Sequence, residues 1–165
     1  MSGRRDSSSP DPEGREGREG VVRFRRLASN PDLPLPARAT EGSAGFDLRS
    51  CEEAFVLEPG ARRLVASGLE MEMPPGIECQ IRPRSGLALR HGVTIPNSPG
   101  TIDPDYRGEL RVILLNLGSE PVRIDRGERI AQLVFSRFSV PGIEEVEIIS
   151  ASERGRGGFG STGTR

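Results

Sequence analysis

The chain has 165 residues, enough for one domain with a modest core, and its aromatic content of 4% with no Trp requires that core to be aliphatic. The formal net charge of -1 provides no global attraction to nucleic acid or to an anionic membrane. Every basic residue is Arg and the single histidine is His91, which excludes a lysine Schiff base and a histidine-rich metal site. A serine-histidine-aspartate triad would have to use His91, so carboxylates are the natural candidates for acid-base chemistry.

Cysteine usage and hydropathy indicate the compartment. Cys51 and Cys79 are the two cysteines and neither belongs to a CxxC pair, which predicts neither a disulfide framework nor a zinc site. No apolar run approaches the length of a membrane span, and the N-terminus lacks a hydrophobic signal segment. We therefore expect a soluble cytoplasmic protein without a membrane partner.

The distribution of glycine, proline and apolar residues along the chain predicts an all-β fold. Glycine (21) and proline (14) are abundant, and no window carries a long apolar stripe at helical period. Residues 1–20 lack aliphatic side chains after Met1 and are expected to form a disordered N-terminal tail. Residues 21–150 are expected to form the β domain, and residues 151–165 a flexible glycine-rich C-terminal arm.

The predicted strands follow one another in short segments. VVRFRRL, from Val21, predicts the first strand, and the proline-rich PDLPLPARAT after it predicts a loop or edge segment. Alternating apolar residues place Cys79 in the core, and RVILLNL predicts a central strand because it is apolar on both faces. Only residues 86–91 suggest a short helix. Further strands are predicted at 44–50, 54–57, 62–66, 69–73, 77–82, 129–138 and 146–149.

The stretch PNSPGTIDPDYRGEL, residues 96–110, is the richest in chemistry. Its prolines and glycines forbid a helix and favour a bent hairpin, which can hold polar side chains at fixed angles. The polar groups include an amide, two aspartate carboxylates, a phenol and a guanidinium, from Asn97, Asp103, Asp105, Tyr106 and Arg107. Alone, the stretch is equally compatible with an ordinary solvated turn.

Four more stretches place charged or hydroxylic residues beside glycine: AGFDLRS (44–50), PRSGLA (83–88), RGERIAQLVF (126–135) and RGRGGFGSTG (154–163). Arg84 and Ser85 precede the predicted helix, where a guanidinium, a hydroxyl and free N–H groups can converge on an anion. Gln132 can add a neutral donor. The last stretch suits a lid that clamps phosphates and stacks a base.

In this order and spacing, the five stretches resemble the five motifs of the trimeric dUTPases, over residues 21 to 163. The resemblance implies a jelly-roll-like β barrel, a homotrimer with a swapped C-terminal arm, and active sites shared among subunits. It also implies Mg²⁺-assisted hydrolysis of dUTP to dUMP and pyrophosphate, which limits uracil incorporation into DNA and supplies dUMP for thymidylate synthesis.

The resemblance assigns roles within the hairpin. Asp103 matches the catalytic aspartate, which orients and deprotonates the water that attacks the α-phosphorus. Asn97 lies where the family reads uracil, and Tyr106 matches the residue that packs on deoxyribose and excludes a 2′-hydroxyl. Arg107 and Glu109 are expected to pair and hold the hairpin. The remaining substrate contacts implied in this hairpin are Gly100, Thr101 and Ile102.

The resemblance also implies a set of phosphate contacts: Arg84, Ser85, Gly86, Gln132, Arg154, Gly160, Ser161 and Thr162. Phe159 matches the arm residue that covers the uracil ring. Asp47 matches an aspartate that supports the water shell of the metal and the substrate network. Mg²⁺ is then held by phosphates and water, with no direct protein ligand.

The chain departs from the family pattern at three positions: Phe46 stands where Tyr is common, Pro96 precedes Asn97, and Arg156 adds a charge that we expect to face water. Three alternatives remain open. A dCTP deaminase shares the fold, and a non-catalytic regulatory trimer retains it. The segment RGRGGFG also resembles an arginine-glycine box that binds RNA, although no clustered basic footprint accompanies it.

Overall fold

The computed structural model describes residues 20–158, and these residues form short antiparallel strands with one short helix. The elements are β1 Arg23–Arg26, β2 Ala37–Arg38, β3 Phe46–Arg49, β4 Phe55–Leu57, β5 Arg62–Glu72, β6 Ile77–Arg82, α1 Ser85–His91, β7 Val93–Thr94, β8 Gly100–Ile102, β9 Glu109–Asn116, β10 Val122–Ile124 and β11 Arg129–Arg137. The all-β prediction is confirmed, and the predicted helix is α1.

Two larger sheets enclose the core. One has the strand order β1-β5-β9-β7 and the other β2-β3-β11-β6-β8, while β10 pairs with β4 separately. Aliphatic side chains from both sheets form one buried cluster that includes Leu48, Val65, Leu114 and Leu133. This jelly-roll-like arrangement suits a chain with few aromatic residues, because many short strands each contribute one aliphatic face.

The prediction of separate strands at 62–66 and 69–73 is wrong, because one strand, β5, spans both. The register against β9 shifts between Ala66 and Glu70, and Gly68 adopts a φ of 64° inside the strand. The Ser67 hydroxyl donates to the carbonyl of Leu110 at 2.7 Å and accepts from the Leu69 N–H at 3.2 Å. These bonds satisfy the backbone at the irregularity, so the strand continues through it.

The strand predicted at 146–149 is also wrong. Residues 139–150 contain no strand, and Ile143, Val146, Ile148 and Ile149 are exposed. An alternating apolar segment forms a strand only where the backbone of a neighbouring strand supplies hydrogen-bond partners. Within the described residues, the segment 146–149 has no such neighbouring strand. The three short strands β7, β8 and β10 were missed because two or three residues carry no readable period.

Both cysteines are buried and free, and Cys79 is fully buried as predicted. β9 lies between β5 and β7, which confirms the predicted central strand. No helix within residues 20–158 is long and apolar enough to cross a membrane. The predicted N-terminal tail and the arm residues Phe159, Gly160, Ser161 and Thr162 lie outside the described residues, apart from Gly20 at the end of that tail.

Candidate active site

A cleft of about 440 Å³ opens at the end of the five-stranded sheet. Gln132 of β11 lies opposite Asp47 of β3 on one side and Arg82 of β6 on the other, so the three side chains project from one face of adjacent strands. Arg84, Ser85 and Gly86 complete this end of the cleft. The structure therefore brings together predicted residues from the stretches 44–50, 83–88 and 126–135.

Asp47 organises the charge of this cleft. Its Oδ1 accepts from Arg84 Nε at 3.0 Å, and its Oδ2 accepts from Arg129 Nη1 at 2.9 Å. Arg84 Nη1 also donates to the carbonyl of Arg129 at 3.2 Å. One carboxylate thus orients two guanidiniums and leaves N–H donors on both for an anion.

Ser85 and Gly86 are the first two residues of α1, and Arg84 is its N-cap. Backbone N–H groups in a first helical turn have no acceptor within the helix. The N–H groups of Leu87 and Ala88 bond to the Arg84 carbonyl at 3.1 and 3.0 Å, so the turn is formed. The Ser85 hydroxyl and the N–H groups of Ser85 and Gly86, which precede these bonded amides, can therefore accompany the Arg84 guanidinium in binding phosphate oxygens.

Gln132 is held in one orientation. Its Nε2 donates to the carbonyl of Pro83 at 3.0 Å. Its Oε1 lies over Gly45, where an added Cβ would stand only 2.2 Å from that oxygen. Glycine at position 45 is therefore required for the amide to lie across the sheet, and this explains why glycine precedes Phe46 and Asp47 in the first stretch.

The sequence prediction omitted two arginines of the cleft, Arg82 and Arg129. Arg129 lies within the stretch RGERIAQLVF, and Arg82 lies two residues before Arg84. The repeated basic positions were visible in both places. Their convergence depends on the pairing of β6 and β3 with β11, which is long-range and cannot be read from local sequence.

The hairpin that carries Asp103 lies at the other side of β6. Strand β8 pairs with β6, with Ile102 opposite Cys79 and Gly100 opposite Ile81. Asp103 follows β8 in an exposed turn closed by the Tyr106 N–H, which donates to the Asp103 carbonyl at 3.1 Å. The exposed position leaves the carboxylate accessible to water.

Tyr106 is fixed against the backbone of its own turn. Its hydroxyl donates to the carbonyl of Glu109 at 3.0 Å, and its side chain is 44% exposed. An added Cβ at Gly108 would lie 2.4 Å from the Tyr106 oxygen and 2.7 Å from its Cζ. Gly108 therefore provides the surface on which the aromatic ring rests.

The predicted pairing of Arg107 with Glu109 does not form. Arg107 donates instead to the carbonyls of Pro104 and Tyr106, at 2.7 and 2.9 Å. Glu109 pairs with Arg111 at 2.7 Å and accepts the Gly68 N–H at 2.9 Å. Both residues do hold the hairpin, but Arg107 does so within the turn and Glu109 by anchoring the following strand to β5.

A second cleft of about 450 Å³ shares Arg82, Ser85 and Gln132 with the first and extends to Ser98 and Pro99. Asn97 immediately precedes this lining and is exposed. Asp103 and Tyr106 line neither cleft. Strand β8 runs from Gly100, opposite Ile81, to Ile102, opposite Cys79, and so leads away from the end of β6 that carries Arg82. Its three residues span about 10 Å at the ordinary rise of a strand. The structure therefore separates the predicted catalytic carboxylate from the phosphate cleft of the same chain.

Arg154 lies outside both clefts and is exposed. Its Nε donates to the carbonyl of Gly157 at 3.0 Å, and the Gly157 N–H donates to the Arg154 carbonyl at 3.1 Å. These bonds close a local turn in the arm. Within the described residues, no group of three or more His, Cys, Asp or Glu side chains could hold a metal ion.

Comparison with known proteins gives consistent matches. A family model described as dUTPase matches residues 32–163. A deoxyuridine 5'-triphosphate nucleotidohydrolase from Anaeromyxobacter sp. (strain Fw109-5) is 55% identical over 144 residues, covering 87% of this chain and 97% of that protein. Its counterpart from Thermoanaerobacter sp. (strain X514) is 50% identical, again over 144 residues, 87% of this chain and 97% of that protein.

A solved structure of the Staphylococcus bacteriophage 80alpha dUTPase with dUpNHpp has a TM-score of 0.76 and 30% identity, covering 87% of this chain and 99% of that one. The fold, the order of the five stretches and the near-complete coverage of these relatives agree with one another. On these grounds the chain belongs to the dUTPase family.

Proposed function

We propose that this chain hydrolyses dUTP to dUMP and pyrophosphate, which limits uracil in DNA and supplies dUMP for thymidylate synthesis. The observation that carries the proposal is the cleft, in which Arg84, Ser85, Gln132 and the Asp47 carboxylate converge from three distant stretches. Relatives that are 50–55% identical over nearly their whole length bear the corresponding activity in their names.

The cleft is suited to binding a triphosphate. Arg84 supplies a planar pair of donors, while Ser85 and Gly86 offer a hydroxyl and first-turn amides. The amide of Gln132 donates one of its Nε2 hydrogens to the Pro83 carbonyl and can donate the other to a phosphate oxygen. Asp47 does not bind the anion itself, but it keeps the guanidiniums aligned before the substrate arrives.

Asp103 is the proposed general base. Its carboxylate is exposed in a turn of fixed geometry, so it can hold a water molecule and take its proton as that water attacks the α-phosphorus in line. The leaving group is pyrophosphate, and the arginines that line the cleft stabilise its negative charge. Arg107 braces the turn through its two backbone carbonyls.

The nucleoside is proposed to bind at the hairpin. Asn97 reads the uracil edge, the strand Gly100–Ile102 supplies neighbouring backbone and side-chain contacts, and the Tyr106 ring excludes a 2′-hydroxyl. The arm, residues 151–165, closes over the substrate. Phe159 then stacks on uracil, and Arg154, Gly160, Ser161 and Thr162 reach the phosphates.

Mg²⁺ is proposed as the cofactor, bound to substrate phosphates and water. The residues fit this arrangement, because Mg²⁺ prefers oxygen ligands and retains several waters. Each Asp47 oxygen accepts from one arginine and retains a lone pair that can accept from a metal-bound water. When bound, the ion neutralises part of the triphosphate charge.

A homotrimer with shared sites is proposed for two reasons. The separation of Asp103 from the cleft within one chain is resolved if the hairpin of one copy meets the cleft of another. The exposed apolar residues of the segment 139–150 also require cover, as do Leu64 and the half-buried Ile113 and Leu115 on the outer face of β5 and β9. A second copy, receiving the swapped arm, supplies that cover.

The direct assay is pyrophosphate release from dUTP, compared with dTTP, dCTP and UTP, with and without Mg²⁺. We expect release from dUTP alone at appreciable rate, and only with Mg²⁺. Ammonia production from dCTP would support the deaminase alternative. Absence of pyrophosphate release from dUTP would support a non-catalytic trimer.

A further inference from the structure

Arg82 is the third arginine of the cleft, and its environment differs from that of Arg84 and Arg129. Those two arginines share the Asp47 carboxylate. Arg82 instead donates from Nε and Nη2 to the amide oxygen of Gln80, at 3.1 and 2.6 Å. Among the described residues no carboxylate forms an ion pair with Arg82. The neutral Gln80 amide therefore fixes the orientation of the guanidinium and leaves its positive charge uncompensated.

The orientation of the Gln80 amide is set by Glu78. Gln80 Nε2 donates to Glu78 Oε1 at 2.7 Å. A carboxylate is only an acceptor, so it can bond the NH₂ side of the amide and thereby turns the amide oxygen towards Arg82. The three residues alternate along β6 and lie on one face of the strand. Their side chains form a row of hydrogen bonds, from Glu78 through Gln80 to Arg82, which holds the guanidinium at the C-terminal end of β6.

The position of Arg82 is suited to an extended anion. It stands opposite Gln132 across β6 and β11, and it lines both clefts together with Ser85 and Gln132. Two of its five N–H donors bond to Gln80, which leaves three for a ligand. The charged lining of the first cleft is then three guanidiniums against the single Asp47 carboxylate.

We propose that Arg82 is a phosphate-binding residue of this chain, which contacts the β- and γ-phosphates of dUTP and is positioned by Gln80 and Glu78. This rests on the proposed function, because it assumes that the cleft holds the triphosphate. The two terminal phosphates carry most of the negative charge of the triphosphate, so an arginine without a carboxylate partner interacts most strongly with them.

The test compares two ligands on the full chain by titration calorimetry. Arg82→Gln is expected to weaken binding of dUpNHpp by about tenfold, because a charge-assisted hydrogen bond to the terminal phosphates is lost. Binding of dUMP, which lacks those phosphates, is expected to stay within about twofold of the wild type. Arg123→Gln is the matched control, since Arg123 lies on β10 and pairs with Asp125 outside both clefts.

A second variant tests the charge of Arg82 without removing its side chain. Gln80→Glu places a carboxylate beside Arg82 and neutralises its charge while keeping the guanidinium in place, and it is expected to weaken dUpNHpp binding in the same way. The thermal midpoint of each variant reports any structural effect. Unchanged dUpNHpp affinity in both variants, or an equal loss for dUMP, would overturn the proposal. Failure of the proposed function is separate, since it appears as missing pyrophosphate release in the wild type.

Discussion

Asp103 carries the chemistry of the proposed reaction, and Asp103→Asn isolates it. Asn keeps the shape of the side chain and can hold a water, but it cannot accept a proton at neutral pH. We expect kcat to fall by about 10² to 10⁴, the usual contribution of general base catalysis, with dUpNHpp affinity nearly unchanged. Steady-state kinetics and calorimetry measure the two quantities.

Asp105→Asn is the control for this variant, because Asp105 is another exposed carboxylate of the same turn. It is expected to retain most of the activity. If Asp103→Asn retains full activity and Asp105→Asn loses it, the general base is Asp105.

Gly108→Ala tests how the Tyr106 ring is positioned. The new methyl group would lie within 3 Å of the phenol oxygen and Cζ, so the ring must move. We expect the ratio of kcat/KM for dUTP to that for UTP to fall several-fold, because a displaced ring no longer fills the space of a 2′-hydroxyl. Gly142→Ala is the control, since no atom lies within 4 Å of its added methyl. An unchanged ratio would show that the sugar is recognised by other residues.

At the scale of elements, the irregularity in β5 is bonded to the residues that follow the hairpin, because Ser67 donates to the Leu110 carbonyl and the Gly68 N–H donates to Glu109. Gly68 has a φ of 64°, and an added Cβ would lie 2.4 Å from Asn30 Cβ. Gly68→Ala is expected to lower the free energy of unfolding by about 3 kcal/mol, through backbone strain and steric overlap. Gly60→Ala provides a matched comparison, because Gly60 has a φ of 74° and open space around it.

For Gly60→Ala we expect a loss of only about 1 kcal/mol, from the backbone conformation alone. Urea denaturation of the two variants measures the difference. Equal losses would mean that contact with Asn30 contributes nothing to the cost.

Strand β6 supplies a prediction about pH. Burial raises the pKa of Cys79 from 9.0 to about 12. This group contributes stability that is full below pH 9 and is lost as the pH rises towards 12, because only the unfolded chain ionises in that interval. Cys79 is therefore expected to resist iodoacetamide at pH 8 in the folded protein and to react in urea. Equal labelling rates measured by mass spectrometry would contradict this burial.

The strands were predictable where alternation coincided with pairing inside the chain. Leu69, Met71 and Cys79 behave as their pattern indicates, and all are buried. The same pattern failed at 146–149, because exposed Ile148 and Ile149 have apolar character without a described partner strand. Local sequence reports the preference of a segment for an extended conformation, whereas the edge that it pairs with is set by the whole fold.

At the scale of the whole molecule, the sequence motifs supplied the candidate groups of the site, and the division of that site among subunits was implied by the family resemblance alone. Asp47, Arg84 and Gln132 meet in one cleft, as the resemblance implied, whereas Asp103 lies away from it. The positions of Arg82 and Arg129 in the cleft could not be foreseen, because they depend on the register of β6 and β3 against β11. Within the described residues, one chain thus carries the arginine-lined cleft and the Asp103 hairpin at separate places.

The central claim is that dUTP is hydrolysed where the hairpin of one copy meets the cleft of another. Two inactive variants test it, Asp103→Asn with an intact cleft and Arg84→Gln with an intact hairpin. They are unfolded together in equal amounts and refolded, and mixed trimers are confirmed by native mass spectrometry. About a quarter of all sites should then combine two intact halves, because cyclic symmetry gives each mixed trimer one such interface. Pyrophosphate release from dUTP at about a quarter of the wild-type rate is the predicted result, and zero recovery with mixed trimers present would contradict the shared site.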